Sequence, residues 1–196
     1  MDEIVRQALA KWPDVPHCTG WLMLDRRGQW RMRDDAAQAA GEAGDVIRHD
    51  ALIGFINRNY ERDPDGQWFF QNGPQRVYVE LGYTPWIVRL SATGGEPALA
   101  DQTSAAFEPS HAWLDDEGGI LFSDASSPPR VAALHDHDLD LFTDHASFDD
   151  AGNGVFHWRA GKDLPLQPIA RAGVAERFGF VASPAARALA SAPPSL

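Results

Sequence analysis

Two stretches of this chain carry the same punctuation about ninety residues apart, and no other feature of the sequence restricts the fold as strongly. Leu24-Asp25-Arg26-Arg27-Gly28-Gln29-Trp30 matches Leu114-Asp115-Asp116-Glu117-Gly118-Gly119-Ile120 at an offset of 90. At an offset of 88, His49-Asp50 meets His137-Asp138, Asp65-Gly66 meets Asn153-Gly154, Phe69 meets His157, Phe70 meets Trp158 and Gly73 meets Gly161. Glycine accepts the positive φ of tight turns and Asp hydrogen-bonds its own turn, so the same turn residues in the same order predict the same succession of elements. Each half reads as hairpin, helix, turn, strand, strand. Two copies do not make a solenoid; they predict an internal repeat, a pair of related small α+β units.

The local patterns fill in this outline. Ile4, Val5, Ala8, Leu9 and Trp12 lie on one face of an opening helix that Pro13 ends. Residues 21–25 and 29–33 flank Arg26-Arg27-Gly28 as a hairpin, and 34–47, rich in Ala, Gly and acids, read as a loop with at most a frayed helical turn. Asp50 suits the N-cap of a helix carrying Leu52, Phe55, Ile56 and Tyr60. After the turn Asp63-Pro64-Asp65-Gly66, three strands are expected at 67–71, 76–81 and 85–91. The stretch 92–109, with Gly94-Gly95, Pro97 and Pro109, reads as a linker or long connection. The expected organisation is therefore a first unit over 1–91 and a second over 110–196, closed by a helix near 169–180 on which Val174, Phe178 and Val181 face the core.

Charge narrows the partners. The 17 basic and 28 acidic residues leave a net charge of −11, and residues 101–150 hold 12 acids against the single Arg130. Nucleic-acid binding draws on Lys and Arg that displace counterions, so neither nucleic acid nor an anionic membrane surface is an expected partner. The acidic segment reads as a solvated surface, with a cation or a basic partner as the alternative. No run approaches the roughly 18 apolar residues of a membrane helix, and Met1-Asp2-Glu3 is acidic where a signal peptide is basic, so a cytoplasmic location is expected. Cys18 is the sole cysteine, which leaves no disulfide within the chain.

The run Asn72-Gly73-Pro74-Gln75-Arg76-Val77-Tyr78-Val79-Glu80-Leu81-Gly82-Tyr83-Thr84-Pro85-Trp86 resembles, without gaps, the strand pair Thr-Pro-Val-Glu-Lys-Val-Arg-Ile-x-Val-Glu-Asp-Ala-Pro-Phe. That pair marks an uncharacterised proteobacterial domain-of-unknown-function family. Its members also carry a hairpin with Asp-Gly-x-Trp, a Leu-rich helix and an Asp-Gly turn. The resemblance covers roughly residues 20–180 and departs at Asn72-Gly73, Gln75 and Gly82-Tyr83. It implies two similar α+β domains of repeated motifs and a role in signalling or ligand sensing.

Catalytic signatures are weak. His135-Asp136-His137-Asp138 follows an apolar run, and imidazole with carboxylate suits a divalent metal that activates water, which makes a metal-assisted hydrolase using His135 and His137 one alternative. Leu139-Asp140 breaks the His-x-His-x-Asp-His pattern, however, so the favoured reading is a helix cap by Asp136 or Asp138, with no metal. No P-loop, dinucleotide fingerprint or nucleophile elbow is present, and neither a catalytic residue nor a cofactor is assigned. Most of the seven tryptophans fall in or beside predicted strands, where core packing is favoured over a ligand-stacking surface.

The chain thus reads as a ligand-sensing or protein-binding module rather than an enzyme, with a structural or assembly protein as a further alternative. On 76–81, Val77, Val79 and Leu81 alternate with Arg76, Tyr78 and Glu80. The second face, with Asn72 at the strand entrance and Arg89 from the next strand, is the candidate site for a small anionic ligand, against the plainer reading of a solvated sheet face.

Overall fold

The chain opens with α1 (Glu3–Lys11), β1 (Cys18–Leu24), β2 (Trp30–Met32), α2 (Asp35–Ala40), β3 (Asp45–Val46), α3 (Asp50–Arg58), β4 (Tyr60–Arg62), β5 (Trp68–Asn72) and β6 (Gln75–Leu81). It continues through β7 (Trp86–Thr93), β8 (Glu96–Asp101), β9 (Ala106–Phe107), β10 (His111–Asp115), β11 (Ile120–Ser123), β12 (Val131–Leu134) and α4 (Leu139–Asp144). It ends with β13 (Ala146–Phe148), β14 (Gly154–Arg159), β15 (Lys162–Ile169), α5 (Val174–Phe178) and α6 (Pro184–Ser191). This computed structural model describes residues 1–159 and 161–191.

Contacts divide the described residues into two units, one of 1–25, 29–83 and 179–191, the other of 26–28 and 84–178. The first holds a sheet ordered β3-β2-β1-β6-β5-β4, in which only the β1–β6 pair is parallel. Its apolar face gathers Leu24, Trp30, Val79, Leu81 and Phe70, with α3 laid across it through buried Ile56 and the Phe55 ring, edge-on to Phe70 at 5.3 Å.

The second unit repeats that order as β12-β11-β10-β15-β14-β13, again with one parallel pair, β10–β15, and a helix between its third and fourth strands in sequence. The protein is an α+β chain of two related units with a helix at each end. The second sheet is extended beyond β12 by β7, β8 and β9. Its core stacks Phe142 of α4 on Phe156 at 4.9 Å, with Phe122, Phe107 and Trp158 in the same buried cluster.

One loop closes five of the hairpins. Asp25, Asp63, Asp101, Asp115 and Asp149 each accept, through Oδ1, the N–H of the fourth residue on, at 2.9, 2.8, 3.2, 2.6 and 2.8 Å. The third residue on has left-handed φ: Gly28 at 73°, Gly66 at 83°, Ser104 at 69°, Gly118 at 84° and Gly152 at 83°. This is a type I turn followed by a bulge residue, which needs glycine in all but one case here.

Several expectations change. Residues 92–109 are no linker: they carry the end of β7, all of β8 and β9, and a Gly94-Gly95 turn, so the glycines and prolines that suggested a connection instead shape tight turns and an edge. The strand expected at 85–91 is β7, which pairs in parallel with β12 and so belongs to the second unit; the division falls at Tyr83/Thr84. The tail returns to the first unit, where the Leu81 N–H donates to the Ala182 carbonyl at 2.8 Å. Residues 192–196 of the expected second unit lie outside the described residues.

The stretch 34–47 contains α2, capped by Asp34, whose side chain accepts from the Ala37 N–H at 2.8 Å, and the short β3. The helix expected over 169–180 is a 3₁₀ turn at 171–173 plus α5, ended by Gly179 at φ 64°; Val174 and Phe178 are buried, while Val181 lies beyond the helix, half-buried.

Candidate functional site

The alternation on β6 is present, but its second face is covered. The Tyr78 hydroxyl donates to Asp63 Oδ2 at 3.2 Å, and the Arg76 guanidinium lies over the Phe69 ring at 4.6 Å. Burial, first, and the Asp63 carboxylate raise the Tyr78 hydroxyl above its ordinary pKa. Glu80 is buried and holds the start of α6, accepting from Ser183 Oγ at 2.5 Å and from the Ala185 N–H at 3.0 Å. Asn72 is exposed at the end of β5. Arg89 does not join this group: it is on β7, in the other sheet, paired to Asp138. Sequence alternation showed which face Arg89 occupies on its strand but could not show which sheet takes the strand.

In the second unit, His135, Asp136 and His137 bring potential ligand atoms within 4.8 Å of one another. Two of the three residues already use such an atom. His135 Nδ1 accepts the His137 N–H at 3.1 Å, and Asp136 Oδ2 accepts from Arg27 Nη2 at 2.6 Å. His135 therefore caps a 3₁₀ turn at 136–138 that leads into α4, and Asp138, expected with Asp136 as a cap, stands at the N-cap position of α4 without a side-chain bond to it. The Asp138 carboxylate turns instead to Arg89 and the Leu90 N–H, 2.9 Å away. His49 plays the same part at α3, its Nδ1 accepting from the Leu52 N–H at 3.2 Å. Burial, first, and the Arg89 charge hold the His135 imidazole below its ordinary pKa.

Two hollows stand at the same place in the two related sheets, beside the connection from the second strand to the third. In the first unit the β2–β3 connection borders a space of about 580 Å³ lined by Met32, alanines of α2, and Asp34, Glu42 and Asp45. It offers carboxylates and small apolar groups. In the second unit the β11–β12 connection borders a space of about 510 Å³, and here the chemistry is different.

Its floor is Trp113 of β10, whose indole N–H donates to Ser123 Oγ at 3.4 Å. Phe178 packs edge-on to Trp113 at 5.9 Å, and the Arg177 guanidinium lies 4.2 Å over the indole ring. His111 and Gln167 line the same space from β10 and β15, since Gln167 is the register partner of Trp113. The opposite wall is the turn 124–129. There Asp124 Oδ1 accepts from Ser126 Oγ and the Arg130 N–H, and Oδ2 accepts from Arg130 Nε at 2.6 Å. Those bonds outweigh burial and lower the Asp124 carboxyl below the ordinary value. The wall is thus fixed, while Arg177 and His111 are exposed.

An exposed guanidinium, an imidazole and an amide around an indole floor can bind a small anion by charge-assisted hydrogen bonds. Sequence reasoning missed His111, Gln167 and Arg177. They come from three elements, with His111 of β10 more than fifty residues before Gln167 of β15 and Arg177 of α5, and only Trp113 carried a local signal.

Two solved structures are similar. A DUF1285 family protein from Silicibacter pomeroyi DSS-3 shares 15% identity over 85% of this chain and 96% of that one, with a TM-score of 0.45. A DUF1285 family protein from Shewanella baltica OS155 shares 9% identity over 63% of this chain and 91% of that one, with a TM-score of 0.40. Neither likeness carries weight in reading function. No curated protein matches. The DUF2944 family model, described as "Protein of unknown function (DUF2946)", matches residues 1–185, and the chain belongs to that family.

Proposed function

We propose that this protein is a ligand-binding module that holds a small anionic molecule in the hollow of its second unit. The observation that carries the reading is the convergence of Arg177, His111 and Gln167 over Trp113 in a space of about 510 Å³. A volume of a few hundred Å³ with a small set of polar groups is what small-molecule sites present. The anion expected from the sequence finds better-placed partners here than on β6, where Glu80 is committed to α6 and Tyr78 to Asp63. A net charge of −11 fits a small anion met one at a time at a local cation, and not a polyanion. Signalling or sensing is the use such a module would serve, with a protein partner reading its occupied state.

The test is a thermal-shift and tryptophan-fluorescence titration with acetate, benzoate, inorganic phosphate and adenosine monophosphate. A ligand at ten times its Kd adds about 1.4 kcal/mol by mass action. Arg177→Ala should weaken that ligand about tenfold or more, the equivalent of one charge-assisted bond of about 1.5 kcal/mol. Binding that is unaltered in both Arg177→Ala and Gln167→Ala would remove the hollow from consideration. No response to any anion would favour a structural or assembly role.

A further inference from the structure

On the three strands at the far end of the second sheet, a serine, a histidine and an aspartate form one hydrogen-bonded line. Ser147 Oγ on β13 lies 2.9 Å from His157 Nε2 on β14, and His157 Nδ1 lies 2.9 Å from Asp163 Oδ1 on β15. His157 and Asp163 are direct register partners, and Ser147 stands opposite Val155, one step along the same face. The line is held from behind, because Phe156 and Trp158, on either side of His157, are fully buried, and the His157 N–H donates to the His145 carbonyl at 2.7 Å.

We propose that Ser147, His157 and Asp163 are a nucleophile, a general base and an orienting carboxylate that hydrolyse small activated acyl esters. The geometry fixes the roles. A carboxylate accepts only, so Asp163 keeps the imidazole proton on Nδ1 and leaves the Nε2 lone pair facing the Ser147 hydroxyl. β13 ends its sheet, and its ladder bonds run through His145 and Asp149, which alternation extends to Ser147. The Phe148 N–H, next after the nucleophile, therefore points away from β14 as an edge donor for a developing oxyanion.

In the acylation step Ser147 Oγ bonds to the acyl carbon, its proton passes to His157 Nε2, and the ester C–O bond breaks. The leaving alkoxide or phenolate takes that proton. Water then attacks the acyl-serine, gives its proton to His157, and Ser147 recovers it as the acid leaves. His157 is 48% and Asp163 61% exposed in their side chains, so solvent surrounds the site, and without water exclusion it is suited to activated esters with good leaving groups. This inference is independent of the ligand hollow.

The experiment is incubation of the intact protein with p-nitrophenyl acetate, following phenolate release and locating the acetyl group by peptide mass mapping. The expected result is acetylation at Ser147 together with phenolate release. Ser147→Ala should lose both the adduct and the release. His157→Gln should slow release about 100-fold, and Asp163→Asn should slow it less. All three side chains are at the surface, and unchanged melting temperatures would confirm that the variants fold. Acetyl found only on Lys11, Lys162 or the amino terminus, with equal release from Ser147→Ala, would overturn the proposal. So would a rate lost with His157 but not with Ser147, which would make the imidazole itself the nucleophile.

Discussion

Arg89 and Asp138 meet in a two-point fork, Nε to Oδ2 at 2.7 Å and Nη2 to Oδ1 at 2.8 Å, and the same Oδ2 accepts the Leu90 N–H at 2.9 Å. The pair is lopsided: the Asp138 side chain is 8% exposed and that of Arg89 58%. Burial works against the ionised carboxyl, but the Arg89 fork and the Leu90 N–H outweigh it and hold its pKa below the ordinary value.

Removing the buried partner should therefore cost more than removing the exposed one. Asp138→Ala strands a buried backbone donor and should lose about 2–3 kcal/mol, whereas Arg89→Ala, whose charge is partly screened by water, should lose about 1. Urea unfolding of both variants measures this. Equal losses would mean that stranding the Leu90 N–H costs no more than leaving the buried Asp138 carboxylate without Arg89.

The His135 cap makes stability depend on pH. Nδ1 can accept the His137 N–H only while unprotonated, and burial keeps the folded-state pKa below the unfolded one. A group depressed in this way leaves the unfolded chain binding more protons, so its contribution is complete above the unfolded value of about 6.5 and is lost as pH falls toward the folded value. Asn caps helices without titrating. His135→Asn should retain most of the stability at neutral pH and flatten the fall in stability toward pH ~5, read by unfolding at both pH values.

Among the five Asp-closed turns, the one built on Ser104 is the weakest in backbone terms. A left-handed non-glycine residue costs about 1–2 kcal/mol, offset in part by the extra freedom glycine has when unfolded, so Ser104→Gly should stabilise by about 0.5 kcal/mol. The opposite change at Gly118, with φ 84° and open space around it, should destabilise by about 1 kcal/mol through backbone conformation alone. Gly119→Ala should cost more, since its methyl would come within 2.5 Å of Asp115 Oδ2. Thermal unfolding of the three variants should rank them in that order.

Zinc, supplied and then dialysed away, should remain at well under one equivalent. Asp136 Oδ2 would have to give up its bond to Arg27, and His135 could offer Nδ1 only by releasing the His137 N–H. Retention of one equivalent by the native protein, abolished by His137→Ala, would contradict this.

What the sequence disclosed was local. Asp-x-x-Gly turns and the alternation around Val77 and Val79 specify hairpins through neighbours a few residues apart, and so the order of elements was legible. The likeness of the two units was legible too, but with a slip. The second half was aligned on Asp65-Gly66 and Asn153-Gly154, whereas the structure places Asp63 with Asp149, Gly66 with Gly152, and the capping His49 with His135. A slip of two residues keeps every side chain on the same face of its strand, so periodicity could not expose it. β4, β9 and β13 are too short to alternate visibly, and the Ala-rich α2 has no apolar stripe. The sheet joined by β7, the return of the tail and the gathering of His111, Gln167 and Arg177 depend on contacts between distant segments, for which a single sequence carries no signal.

The return of the tail has a consequence for how the protein is made. The Ala182 carbonyl that receives the Leu81 N–H, and the Ser183 hydroxyl and Ala185 N–H that satisfy the buried Glu80, leave the ribosome only after every residue of the second unit has been synthesised. Until then the nascent first sheet keeps a carboxylate and a strand amide without their final partners. The second unit, contiguous apart from 26–28, is free to reach its native state first, and the N-terminal unit is the later of the two to mature.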